Sequence, residues 1–425
     1  MNKDRNDGRG HTRDYTLAYY AGNRQTGHIS IVEQKSGERQ VTRIPTAPES
    51  GMEKDLRPVF VGLTETRQVI VLDPASKKIR IQATFPADAF PAHIYSDPRS
   101  SRDWFMNDGD KESGNDRLNC GDEGSSVTVV ENTASSEARW LATICVGRGH
   151  HQAAFTYPSA QAPAVPESAY ISNLKDGTLS VIGNDPGDEE RYLRRVSTIN
   201  LCEPDKEEGG DGSAVPNNAF PHGLVYSPLS GKVYNLNNGY GSVAVIDPVD
   251  HTIESRFAFK GHSNLFITPD GAFIIGRGAD RKSDPRHVIA RLTVYDVAAG
   301  EVAESLELHD IYISKYYFNA DASKLYLTTG SSGSPEQKAN LKDDALLIFD
   351  LSDLPRIRLC KEHRLGAASG SLAFLNEGGR TVHVFSSNSA AGTLTIIDGE
   401  SDEILETVAV TEGMSHSRVW LLPDD

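Results

Sequence analysis

Along this chain apolar and polar residues alternate with a period of two, in short runs punctuated by Gly, Pro, Asn and Asp. That is the signature of half-buried β-strands, and no long amphipathic helix interrupts it. One segment type recurs eight times, a β-branched run that usually closes on an acidic residue. The copies are HISIVEQ (28–34), QVIVLDP (68–74), SVTVVEN (126–132), TLSVIGN (178–184), SVAVIDP (242–248), RLTVYDV (291–297), ALLIFDL (345–351) and TLTIIDG (393–399). Their spacing of roughly 40 to 60 residues matches one four-stranded blade each. The clearest period reads A (HGLVYSP, 222–228), B (KVYNLNN, 232–238), C (SVAVIDP, 242–248) and D (IESRFAF, 253–259).

The pattern predicts an all-β chain: a single β-propeller of eight blades. Seven is the alternative count, because only PTAPESGMEKDLR (45–57) is available as strand A of the second blade. The chain begins with B, C and D strands and finishes on an unpartnered A strand, SHSRVWLLP (415–423). The last strand is therefore expected to pair with the first blade, which removes an open sheet edge. The propeller is assigned to 14–425 and a disordered tail to 1–13.

Composition narrows the function classes. With 43 Lys and Arg against 59 Asp and Glu, the net charge is −16. Phosphate contacts need clustered cations, so no nucleic-acid partner is expected, whereas an acidic surface attracts cations. No apolar run is long enough to span a membrane. The opening residues, MNKDRNDGRGHTRD, lack the apolar core of a signal peptide, so export would require a leader outside this sequence. Four cysteines force no disulfide framework. All four map to one face, with Cys145, Cys202 and Cys360 at D-strand ends and Cys120 in a B–C loop. Cys120 and Cys145 belong to one blade; they are either paired, which would indicate an oxidising compartment, or simply small buried side chains.

The candidate chemistry lies in the histidines. His93, His151, His222, His262 and His416 all stand at the entry to an A strand. In a closed ring those seats converge on the axis, and Ser314 and Ser369 hold the same seat in two further blades. His150 and His309 are candidate additional ligands. Neutral imidazoles suit zinc and copper. A second cation candidate is the loop NDGDKESGND (107–116), where Asp108, Asp110, Glu112 and Asp116 resemble a calcium loop but without its glycine and terminal glutamate in place. A third set, Asn107, Asn173, Asn237 and Arg277, closes B strands. The asparagines have turn chemistry as their plain explanation, while Arg277 and Arg148 are candidate contacts for an anionic substrate. No nucleophile elbow, phosphate-binding loop, dinucleotide fingerprint or haem-attachment motif is present.

Over nearly the whole chain the repeat resembles the YVTN and cytochrome d1-like propellers. GRGHHQAAFTYP (147–158), followed by the segment from Cys202 to PHG (221–223), resembles the periplasmic zinc metallochaperone propellers. That resemblance implies a metal-binding role for His150, His151 and His222, with a transporter component as recipient. It departs from the family in lacking an N-terminal His-rich tract and in the long insert before PHG. In carrying histidines at the hub the chain is also similar to nitrous oxide reductase and the copper-dependent thiocyanate dehydrogenases, which would imply copper redox chemistry and an electron-transfer partner. The expectation is a periplasmic or extracellular metal-binding propeller, with a copper oxidoreductase and a metal-free interaction scaffold as alternatives.

Overall fold

The computed structural model describes residues 13–22, 26–46, 53–54, 59–63, 68–73, 76–84, 91–108, 120, 124–131, 139–149, 152–365, 369–414 and 416–422. These form eight four-stranded antiparallel sheets, the blades of one β-propeller. Blade 1 takes its strand A from the other end of the chain, His416–Leu421, and its B, C and D strands from Tyr15–Gly22, Gly27–Lys35 and Glu38–Thr46. Blade 2 is complete, although its strand A is only Glu53–Lys54, followed by Val59–Leu63, Gln68–Asp73 and Lys78–Thr84. Blade 3 spans Pro91–Ser96, Arg102–Asn107, Ser126–Glu131 and Arg139–Cys145. Blade 4 spans Ala153–Thr156, Ser168–Asn173, Thr178–Gly183 and Arg195–Asn200. Blade 5 spans Pro221–Ser227, Lys232–Asn237, Ser242–Asp247 and Thr252–Ala258. Blade 6 spans Asn264–Ile267, Phe273–Asp280, Ile289–Asp296 and Glu301–His309. Blade 7 spans Ile313–Phe318, Lys324–Thr329, Ala345–Asp350 and Arg358–Arg364, and blade 8 spans Ser369–Glu377, Arg380–Asn388, Thr393–Asp398 and Ile404–Ala409.

The repeat is legible because the C strands are buried and the D strands are not. The C strands of blades 3, 4, 5 and 7 are covered on both faces and almost wholly buried. The D strands expose most of their length, as in blades 1, 5 and 6. An exposed outer strand invites edge-to-edge pairing. In every blade except the first, a register shift between C and D breaks its regularity, a device that makes such an edge a poor template. The core is a series of interfaces between blades: Trp104, Met106, Val127 and Val129 of blade 3 meet Phe155, Ala169 and Ile171 of blade 4.

Four blades end strand B on asparagine, and the amide is a structural staple. Nδ2 of Asn107 donates to Ser126 Oγ and Thr128 Oγ1 (2.9 and 3.0 Å), Asn173 does the same to Thr178 Oγ1 and Ser180 Oγ (3.0 Å each), and Asn388 to Thr393 Oγ1 and Thr395 Oγ1 (2.8 and 2.9 Å). In blade 5 the third C residue is Ala244 and offers no hydroxyl; Asn237 turns instead to Glu203, held in the insert before strand A. These side chains are buried and their Nδ2 donors are committed within the scaffold, while Oδ1 of Asn107, Asn173 and Asn388 is enclosed without a hydrogen-bond partner, so the asparagines belong to the scaffold. Asn173→Ala is expected to lower unfolding free energy by about 1–3 kcal/mol, since two hydroxyls lose their donor in a dry site; urea denaturation at neutral pH measures it.

Candidate functional site

The A-strand entries and the B–C hairpins open on one axial face, here called the mouth. The B-strand end serves as a ruler for comparing blades, because it pairs with the first residue of strand C in blades 3, 4, 5 and 8. The strand A residue opposite that end is Pro91 in blade 3, Pro221 in blade 5, Ser369 in blade 8 and His416 in blade 1, where Gly22 replaces the asparagine. His222 follows the ruler position by one residue, inside an A-strand bulge, and His93 follows it by two, opposite Met106. His262 precedes strand A of blade 6 altogether. The histidine seats are therefore staggered rather than equivalent. Since side chains alternate along a strand, a one-residue stagger changes where each ring goes.

His262 goes into the wall. Its ring stacks on Phe259 at 4.1 Å and is 5% exposed. Nδ1 donates to the Phe259 carbonyl (3.4 Å) and Nε2 accepts from Thr293 Oγ1 (2.9 Å), so both nitrogens are occupied by the protein and none is left for a metal. Burial pushes its pKa down to about 4. The segment is fitted closely: a Cβ at Gly276 would lie 2.2 Å from the Phe259 ring, and one at Gly278 1.8 Å from the Gly261 carbonyl oxygen.

His222 stays at the mouth, half-buried. Its Nδ1 donates to the Ser263 carbonyl at 2.5 Å, which places the lone pair on Nε2. A carbonyl on one imidazole nitrogen is the arrangement that orients metal-ligating histidines and raises their basicity. Above it the A-strand entries of blades 4 and 6 meet: Nε2 of Gln152, the residue after His151, donates to Asn264 Oδ1 at 3.4 Å, reaching past blade 5. His93 is half-buried, its ring 6.2 Å from that of Tyr95.

Tyr95 and Tyr316 come from blades 3 and 7, opposite members of a ring of eight, yet burial and then Tyr316 itself raise the Tyr95 pKa far above the usual phenol range. Asp108 acts on Tyr95 in the same direction, and Arg277 opposes the burial-driven rise at Tyr316. Asp108, Arg277 and the two phenols thus share one electrostatic neighbourhood. Tyr316 is further held by Phe266, stacked at 4.1 Å.

The other candidates separate. Arg148 is tied to Asp176 through its backbone N–H and Nε, both at 2.7 Å. Arg277 is not at a strand end as the sequence suggested, because strand B of blade 6 runs on to Asp280; its Nη1 donates to the Ile313 carbonyl at 2.9 Å. His309 is exposed at the end of the outermost strand of blade 6. Ser314 sits in a bulge beside Ile313. Cys120 and Cys145 form a disulfide, with 5.7 Å between their Cα atoms. Cys202 is buried two residues beyond the end of its D strand, and Cys360 corrects the expectation that all four cysteines share the mouth face: it lies within strand D of blade 7, exposed on the rim. Asp108 is buried. His150, His151, Asp110, Glu112 and Asp116 lie outside the described residues, as does the His416 side chain. Among the described residues no three His, Cys, Asp or Glu side chains converge to hold a metal.

The sequence did not single out Gln152 and Asn264, nor Phe220. Phe220 is 43% exposed and held at φ +46° directly before Pro221 and His222. A bulky residue persists in the left-handed region only where its surroundings impose it. Here Glu207 accepts from Asn218 N and Nδ2 (2.7 and 2.9 Å), and Asn217 Oδ1 accepts from Ala219 N (3.0 Å). The insert thereby fixes the approach to His222. A separate cavity of about 590 Å³ opens on the opposite face, between the turns of blades 7 and 8; it is lined by residues such as Lys324, Arg380 and Asp398 and includes none of the mouth residues.

No family model matches the chain. No curated protein matches it either. Among solved structures it is similar to the dihydro-heme d1 dehydrogenase NirN in complex with DHE, with a TM-score of 0.62, 13% identity, and coverage of 95% of this chain and 75% of that one. It is similar to apo AztD from Citrobacter koseri (TM-score 0.57, 11% identity, 97% and 98% coverage). It is also similar to the periplasmic gluconolactonase PpgL of Pseudomonas aeruginosa (TM-score 0.56, 13% identity, 96% and 99% coverage). At such identities the likeness shows the propeller fold and nothing finer. No helix among the described residues is long and apolar enough to cross a membrane.

Proposed function

We propose that the mouth binds a transition-metal ion, zinc or copper, and that the protein carries it outside the cytoplasm for delivery to a partner such as a transporter component. The observation that carries this reading is the His222 tautomer: Nδ1 is committed to the Ser263 carbonyl, and Nε2 is the basic nitrogen at the mouth. A complete ligand set needs more than the described residues supply. His151 is the next ligand, since its neighbour Gln152 reaches over blade 5 to Asn264. His93 and His416, from strand A of blades 3 and 1, and His150, next to His151 in the chain, complete the candidates, while His262 is withdrawn. The Cys120–Cys145 disulfide supports an oxidising compartment, as does the resemblance of the His150–His151 segment to periplasmic zinc metallochaperone propellers.

Neutral imidazoles make such a site pH-dependent, because protons compete for the same nitrogens. The test is elemental analysis after incubation with zinc or copper and removal of loose metal by mild chelator dialysis. About one exchangeable ion per chain supports a carrier. Two or more coppers that resist the chelator would instead support a copper oxidoreductase at the same place. Absence of bound metal under both conditions would overturn the metal reading.

A further inference from the structure

Two Gly-Arg-Gly segments border the mouth, Gly147–Gly149 and Gly276–Gly278, and their arginines have opposite fates. Arg148 is neutralised by Asp176. So are other arginines of the same burial or greater: Arg39 pairs with Glu406, Arg102 with Asp97 and Arg291 with Glu307. Arg277 is partly buried, and no described carboxylate lies within ion-pair distance of it. One N–H is taken by the Ile313 carbonyl, while Nε is enclosed and has no acceptor. A guanidinium has five N–H donors, and a cation withdrawn from water ordinarily keeps a counter-charge.

We infer that Arg277 is the anion-binding residue of the mouth and that the site takes a small oxyanion, a carboxylate or a phosphate. The inference rests on reading the mouth as the binding site, and three observations support it. First, position: Arg277 pairs with Asn264, the residue that Gln152 contacts, and Ser263 links it to His222, because Ser263 N donates to the Arg277 carbonyl while its own carbonyl accepts from His222. The Arg277 backbone is therefore tied to the same A-strand entries as the proposed metal ligand, while its guanidinium reaches the entry of blade 7 at Ile313. Second, charge: the chain carries a net −16, so an arginine at the mouth with no described carboxylate within ion-pair distance is a place where an anion can be attracted rather than repelled. Third, rigidity: a Cβ at Gly276 or Gly278 would collide with Phe259 or Gly261, so the strand holding Arg277 is pressed against the preceding loop and its backbone is fixed at the mouth. Guanidinium hydrogens in a plane match the geometry of carboxylate and phosphate oxygens, which a lysine ammonium does not reproduce.

The test is calorimetric titration of the full-length, metal-free protein with inorganic phosphate and, separately, with succinate. Using metal-free protein keeps the outcome independent of metal binding, so either reading can fail alone. Wild type is expected to bind at least one of the two saturably. Binding of phosphate only would assign an inorganic oxyanion, and binding of succinate only a carboxylate. Arg277→Gln is expected to weaken that binding by about tenfold or more, with Arg277→Lys in between, as loss of a charge-assisted hydrogen bond requires. The proposal is overturned if wild type binds neither probe below roughly 10 mM, or if Arg277→Gln, shown folded by its melting curve, binds as wild type does.

Discussion

Truncation after Gly413 is expected to yield a chain with no cooperative unfolding transition. The removed segment contains strand A of blade 1, which pairs with Tyr15–Gly22 from Leu17↔Leu421 to Gly22↔His416 and extends the ladder by Leu422 N donating to Thr16 O. It also supplies apolar side chains to two interfaces: Trp420 and Leu422 pack with Ala18, Tyr20, Ile29 and Ile70 between blades 1 and 2, and Val419 packs with Phe385 and Leu394 between blades 8 and 1. Trp420 alone is 1% exposed, and Trp420→Ala is expected to cost about 3–5 kcal/mol. Loss of the whole strand removes several such residues and leaves an open sheet edge, which exceeds the roughly 5–15 kcal/mol that holds a domain folded. A truncated chain that melts cooperatively near the wild-type temperature would show that the ring is not closed by this strand.

Acid is expected to destabilise the protein well before its carboxylates protonate. The His262 pKa is lowered to about 4 from 6.5, chiefly by burial. The unfolded chain therefore binds a proton that the folded one refuses. The contribution is fully present above the unfolded value and is lost as the pH falls from about 6.5 towards 4, amounting to about 3 kcal/mol for this group. His28, His251 and His383 are shifted in the same direction, each mainly by burial. The carboxylate of Glu406 is also shifted down, chiefly by its hydrogen bond from Arg39, and so gives way only at lower pH. Urea denaturation at pH 8, 6 and 4.5 should show a steady fall in stability. His262→Leu, less stable at pH 8 for want of its hydrogen bonds, should show a shallower one. An identical slope in the variant would mean that His262 carries no charge penalty in the folded state.

The fold was legible in the sequence because the C strands are buried on both faces and so read as unbroken β-branched runs. Strand A of blade 2, two residues long, was not: a strand that short has no period to display. Reading the site was harder for the same geometric reason that makes it specific. HGLVYSP and HSNLFITP look alike, yet His222 lies inside a strand at the mouth and His262 lies before one, inside the wall. A bulge of one residue decides the difference, and bulges leave no periodic trace. Arg148 and Arg277 likewise share a Gly-Arg-Gly frame; what separates them is Asp176, which is distant from Arg148 in the chain and meets it only in the fold. The glycines of FIIGRGAD were a usable signal, since paired glycines within a strand mark a close approach of another backbone.

The measurement that bears most directly on the central claim is the metal content of three proteins after incubation with zinc or copper and chelator dialysis. These are wild type, His151→Ala/His222→Ala, and His262→Leu kept at pH 8. The expected result is a stoichiometric ion in wild type and in His262→Leu, and its loss from the double variant with the fold intact. A full metal complement in the double variant, or none in wild type with either ion, would contradict a metal site at the mouth.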